Sequence, residues 1–183
     1  MHTQFANVRP TSVLPGTPGD PSDPAPTVVL TMGLSDVEVM PSERRVPVGR
    51  AARITGWHPI RYGHGPVPFD SSLERDFLNA LVSLPGFKKV IAQPVTVHYA
   101  VWGEHHKYTP DYLVTMSEIP DCFAAVGITQ TTFFVEVKHT RLLDECANRL
   151  ECSLAALRMA TGIPVLLLTE QEIRVRKEEY FHD

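Results

Sequence analysis

Two short stretches carry residue types that can do chemistry together. The first is Phe133-Phe134-Val135-Glu136-Val137-Lys138, strand-like in composition. Side chains alternate across a strand, so Phe133, Val135 and Val137 face one way and Glu136 and Lys138 the other. A carboxylate and an ammonium on one face of a buried strand are costly to desolvate unless they have partners. The second is Thr109-Pro110-Asp111-Tyr112-Leu113-Val114, where Pro110 fixes the backbone ahead of a strand that opens with Asp111. If these two strands pair as antiparallel neighbours, Asp111 near the start of one meets Glu136 near the end of the other. Two carboxylates and a lysine then share one rim of the sheet. Phosphodiester hydrolysis uses that set. Carboxylate oxygens hold a hard cation such as Mg²⁺, with Mn²⁺ as a substitute, and leave waters in its shell. The lysine orients a water, takes its proton or steadies developing charge. The backbone carbonyl of Val137 is a further candidate ligand, and Glu74 a third carboxylate.

The elements that must position these residues are readable from pattern. Ser71-x-x-Glu74 is a capping box. Leu73, Phe77, Leu78 and Leu81 follow at helical spacing, and Pro85-Gly86 ends that helix. Val90–Tyr99 reads as one strand, Gly103-Glu104 as a turn and Tyr108–Met116 as the returning strand. After a loop around 117–125 comes the strand 132–139. Leu143, Ala147, Leu150, Leu154 and Leu157 mark an amphipathic helix that Gly162 stops. The apolar run 164–169 is a last strand, parallel to the one before the helix. The expected fold class is therefore α/β, with an αβββαβ core built on a mixed sheet flanked by helices.

The chain has 183 residues, 43% apolar and 21% charged, which suits one domain with a proper core. Residues 1–41 are rich in proline and expected to be disordered or loosely docked, with Val28–Met32 as a short apolar patch. Residues 42–69 read as an irregular basic arm, and 70–183 as the folded core. In that arm Arg44, Arg45, Arg50, Arg53 and Arg61 are opposed only by Glu43, five charges against one, a local +4 in a chain of formal net charge −4. They are candidates for phosphate contacts if a cleavage site lies nearby. No apolar run approaches the roughly 20 residues of a membrane span, and no secretory signal opens the chain. The three cysteines form no CxxC pair, which argues against a zinc site or disulfide framework and makes a reducing cytoplasm the default. His105-His106 is expected in a solvated turn. His139 reads equally as a neighbour of the site or as a neutral strand end, and His98 as alternating with Val97 and Tyr99. Gln93-Pro94 starts or bulges the first strand. Gly63 and Gly65 belong to no phosphate-binding loop.

PD followed by ExK marks the PD-(D/E)xK nucleases, whose core is restriction-endonuclease-like. A more specific resemblance rests on a longer series: Arg53-Ile-Thr-Gly-Trp-His-Pro, Phe69-Asp-Ser-Ser-Leu-Glu-Arg-Asp-Phe-Leu, Gln93-Pro, Lys107-Tyr-Thr-Pro-Asp-Tyr-Leu-Val and Phe134-Val-Glu-Val-Lys. In this order the chain resembles the N-terminal catalytic domain of TnsA-type transposon endonucleases, from about Arg50 to Thr169. The resemblance implies a bacterial endonuclease that cuts double-stranded DNA at the 5′ ends of a cut-and-paste transposon, associating with the nucleoid while it acts. It also implies a DDE-type recombinase partner and an AAA+ ATPase regulator. The family's metal-binding carboxylates fall on Glu74 and Asp111, its third position on Glu136 and its catalytic lysine on Lys138. Longer members carry a C-terminal helical domain used in partner contacts. Only Glu170–Asp183 follow the last core strand here, so partner contacts are expected to be made otherwise, or the nuclease serves a different system. A stand-alone phage, restriction or repair nuclease and a non-catalytic DNA-binding or assembly subunit remain the alternatives.

Overall fold

The computed structural model describes residues 33–42, 54–60 and 65–174. The basic residues Arg44, Arg45, Arg50, Arg53 and Arg61 and the Val28–Met32 patch lie outside the described residues. The described chain is mixed α/β, with antiparallel and mixed sheets flanked by helices. In chain order the elements are β1 (Leu34–Pro41), β2 (Gly56–His58), β3 (Val67–Phe69), α1 (Ser72–Leu81), β4 (Phe87–Ala92) and β5 (Val95–Val101). They continue with β6 (Glu104–Tyr108), β7 (Tyr112–Met116), α2 (Asp121–Ala124), β8 (Thr132–Val137), α3 (Thr140–Thr161), β9 (Val165–Leu168) and α4 (Glu170–Ile173).

The central sheet has the order β4-β7-β8-β9. Its β4/β7 and β7/β8 pairs are antiparallel and β8/β9 is parallel. Read along the chain, α1-β4-β7-β8-α3-β9 is the αβββαβ order expected from the pattern. The faces of β8 divide as its alternation requires. Phe133, Val135 and Val137 join the core beneath α1, with Leu73, Phe77, Leu78 and Leu81. Phe134 joins the other core, beneath α3, with Leu150, Leu154 and Leu157. Gly162 closes α3 in the left-handed conformation, φ 67°, which glycine adopts without a Cβ penalty.

At the other end of the fold, Ser71 caps α1. Its Oγ accepts from the Glu74 N–H at 3.1 Å and donates to Glu74 Oε1 at 2.9 Å. The return arm of the box lands one residue upstream, on the Asp70 N–H at 3.0 Å. Phe77 is fully buried, its ring 5.5 Å from that of Tyr112. Phe77→Ala is expected to cost about 3–5 kcal/mol, because the surrounding sheet cannot collapse into the space. Chemical denaturation checks this, and a loss under about 1 kcal/mol would mean that α1 is not the lid of this core.

The structure departs from the expected first hairpin. The predicted strand 90–99 is two strands, broken at Gln93-Pro94, and the predicted strand 108–116 is broken at Thr109-Pro110-Asp111. Gln93 adopts φ 47°, and its N–H donates to the Asp111 carbonyl at 2.8 Å. The whole ribbon bends at this paired break. Its base, β4 and β7, stays in the central sheet, while its tip, β5 and β6, forms a second sheet of order β1-β5-β6. The tip turns through Trp102-Gly103, both at positive φ (52° and 83°). Those angles are the geometry of a two-residue hairpin loop, so Glu104 already belongs to β6. His105-His106 is therefore strand rather than turn, and His106 stacks on Tyr99 with ring centroids 5.4 Å apart.

Residues 34–41, expected among the disordered or loosely docked segment, pair antiparallel with β5 as an edge strand. Leu34 and Val37 pack on the α3 core, and backbone ladder bonds supply the rest. The arm is also less irregular than expected: β2 pairs with β3, and Ile60, Val67 and Phe69 are buried against α1's core. The packed structure thus starts upstream of Asp70.

Candidate active site

The bend and the β7/β8 register create the site. Tyr112 stands opposite Val135, which puts Asp111, at the mouth of β7, beside the end of β8. Asp111 Oδ2 accepts from the Val137 N–H at 2.8 Å. One residue back on β8, Glu136 is buried, at 3% exposure. Both its oxygens are engaged: Tyr108 Oη donates to Oε2 at 2.6 Å and Lys138 Nζ to Oε1 at 3.1 Å. Tyr108 reaches Glu136 only because the ribbon bends after β6. From α1 comes Glu74, also buried, whose Oε2 accepts from Tyr112 Oη at 3.1 Å. Tyr112 lies between α1 and the sheet, and its one hydroxyl proton is shared between Glu74 and the Pro68 carbonyl, 3.2 Å away. Glu74, Asp111, Glu136 and Lys138 line a single open cleft of about 860 Å³. All four residues singled out from sequence are thereby brought together.

Electrostatics at the site follow from crowding carboxylates where water is scarce. Glu74 has its carboxyl pushed up to about 7, by burial first and then by the neighbouring Asp70 carboxyl. Asp111 is pushed well above the usual carboxylate range by burial, then by the charges of Glu136 and Glu74; the Val137 N–H and Lys138 oppose this only in part. For Lys138, burial favours the neutral amine, but the Glu136 carboxylate outweighs it and holds the ammonium above its ordinary value. The phenols of Tyr108 and Tyr112 are both held above their ordinary range, by burial first and by the carboxylates beside them, so both remain donors.

The donor set suits a hard divalent cation. It consists of oxygens, it is anionic, and the charges of Glu136 and Glu74 raise the proton affinity of Asp111, which a cation would relieve. Asp111 and Glu136 would hold it, with the Val137 carbonyl as a neutral ligand and Glu74 as further charge. Among the described residues no three His, Cys, Asp or Glu side chains already stand as a ligand group. Glu74 is tied to Ser71, Asp70 and Tyr112, and Asp111 Oδ2 to the Val137 N–H.

Other residues weighed from sequence take smaller parts. His139 precedes α3 and sits 3.3 Å from Glu170, whose Oε2 also accepts the Thr140 N–H at 2.9 Å. It therefore tethers α4 to the start of α3. His98 is exposed between buried Val97 and Tyr99, as the alternation required. Gln93 marks the bend, and its buried Oε1 has no partner among the described residues. Tyr108 is a cleft residue, bonded to Glu136, that the sequence pattern does not single out. It lies inside the quoted Lys107-Tyr-Thr-Pro-Asp series, but its reach to Glu136 depends on a bend that the hydrophobic pattern does not reveal.

No protein-family model matches the chain, and a search of curated proteins finds no match. The resemblance to TnsA-type endonucleases rests on the motif series alone.

Proposed function

We propose that the protein is a metal-dependent endodeoxyribonuclease with a restriction-endonuclease-like core. It would work as the TnsA-type subunit that cuts the 5′ ends of a transposon beside a DDE-type recombinase, under an AAA+ ATPase. The observation that carries the reading is the meeting of Asp111, Glu136 and Lys138 at one end of the central sheet, with Glu74 facing them from α1. The αβββαβ order supports it, because that order puts PD and ExK on adjacent antiparallel strands.

When bound, Mg²⁺ or Mn²⁺ supplies the positive charge that displacement at a phosphodiester needs. The chain's own groups do the rest. Asp111 is fixed by the Val137 N–H, so its free oxygen presents charge from a rigid strand end. Glu136 is held from both sides by Tyr108 and Lys138, which sets its carboxylate plane before substrate arrives. Lys138 keeps its proton at neutral pH and so acts as a donor, orienting the attacking water and steadying negative charge on the phosphoryl oxygens. Because Glu74 holds a proton up to about pH 7, metal affinity should rise with pH as that proton leaves.

Nicking of supercoiled plasmid tests the reading. Cleavage should require Mn²⁺ or Mg²⁺ and fall at least ~100-fold in Lys138→Ala. No cleavage under either metal would favour a DNA-binding or assembly subunit. Tyr108→Phe removes one hydrogen bond to a carboxylate, an interaction of about 1.5–3 kcal/mol. It should slow single-turnover nicking roughly 10- to 100-fold and lower the melting temperature by no more than about 12 °C. An unchanged rate would mean that Glu136 needs no such support.

A further inference from the structure

The cleft is larger than its carboxylate end requires. A water's share of liquid volume is about 30 Å³, so a hydrated cation fills only a fraction of the roughly 860 Å³. The rest is bounded by groups of the opposite sign. Lys107 comes from β6, one residue before Tyr108, and Arg149 from α3. Both are exposed to the cleft. Lys107, Arg149 and Lys138 thus line one cleft from three different elements. Thr96 and Thr109, whose hydroxyls meet at 2.7 Å, line the same cleft and add polar groups to it.

Lys107 and Arg149 also differ from the cations that the fold commits to a carboxylate. Arg75 and Arg174 both close on Asp76, at 2.9 and 2.7 Å, and Lys138 on Glu136. Among the described residues, Lys107 and Arg149 form no ion pair. His98, which lines the same cleft, has Glu38 opposite it in the β1/β5 ladder. Two uncommitted cations on separate elements of one cleft suit an extended polyanion better than a single small anion.

We propose that Lys107 and Arg149 grip the DNA backbone on the phosphates flanking the scissile one, so that the strand enters the cleft between β6 and α3. The proposal rests on the nuclease reading and adds the path of the substrate to it. Phosphate contacts position a strand without reading its sequence. Each one contributes about −0.9 to the slope of log K against log salt.

The test is anisotropy of labelled duplex DNA against the full chain, in Ca²⁺, across roughly 50–200 mM salt. The proteins are the parent, Lys107→Ala/Arg149→Ala and the charge-keeping Lys107→Arg/Arg149→Lys. The alanine pair should lose roughly 10- to 100-fold in affinity, and its slope should flatten by about 2. The charge-keeping pair should retain the parental slope, and neither should change Mn²⁺ binding or melting temperature. An unchanged slope in the alanine pair overturns the proposal. So does a parent that binds single-stranded RNA with a steep salt slope and duplex DNA with none. If the alanine pair flattens the slope while no protein binds Mn²⁺, the nuclease reading fails and the phosphate wall stands.

Discussion

Asp111→Asn is expected to stabilise the metal-free protein while abolishing cleavage. The Asp111 carboxylate is held above its ordinary range by burial and by the charges of Glu136 and Glu74, so its ionised form is unwelcome in the metal-free fold. Asparagine keeps an oxygen to accept the Val137 N–H, now 2.8 Å from Oδ2, and removes the charge. A gain in stability at pH 8 follows, seen as a rise in melting temperature. Cleavage should fall ~1,000-fold or more, since the site loses a ligand charge that no other group replaces. Such opposed effects separate a working carboxylate from a structural one, because functional sites hold strain that the fold would shed. Lower stability with retained cleavage would make Asp111 a strand-end residue only.

A second large effect concerns pH. Glu74 has a folded-state value of about 7 against an ordinary 4.5, so the folded protein binds this proton more tightly than the unfolded chain does. Stability from Glu74 is then fully present below about pH 4.5 and is lost as pH rises through about 7. Asp111 shifts in the same direction. At about 1.4 kcal/mol per pH unit, Glu74 alone accounts for a loss on the order of 3 kcal/mol between pH 5 and 8. Glu170 runs the other way. Burial raises its carboxyl, but the Thr140 N–H and neighbouring bonds lower it further, so its contribution changes only at more acid pH. Melting curves of metal-free protein at pH 5 and 8 give the measurement, and Glu74→Gln should flatten the difference. Millimolar Mg²⁺ should restore stability at pH 8 more than at pH 5, since it binds the deprotonated carboxylates. Stability that rises from pH 5 to 8 in metal-free protein would contradict the crowded-carboxylate site.

The capping at Ser71, the α1 face and the αL stop at Gly162 were legible because each depends on local chemistry. The juxtaposition of Asp111 with Glu136 was legible because a period of two and one antiparallel pairing determine it. The split of the ribbon at Gln93 and Pro110 was not. Apolar character continues across both breaks, and the left-handed conformation of Gln93 answers to the bend in tertiary structure rather than to residue type. Tyr108 was hidden for the same reason. The edge strand β1 is not legible because backbone hydrogen bonds hold it and few side chains report them.

Binding of Mn²⁺ to the purified full chain, titrated by calorimetry beside an Asp111→Ala/Glu136→Ala variant, tests the central claim most directly. The proposed nuclease requires saturable binding in the parent that disappears in the variant. A folded parent that takes up no Mn²⁺ at millimolar concentration, or a variant that binds it as the parent does, would contradict the assignment of these carboxylates as the metal site.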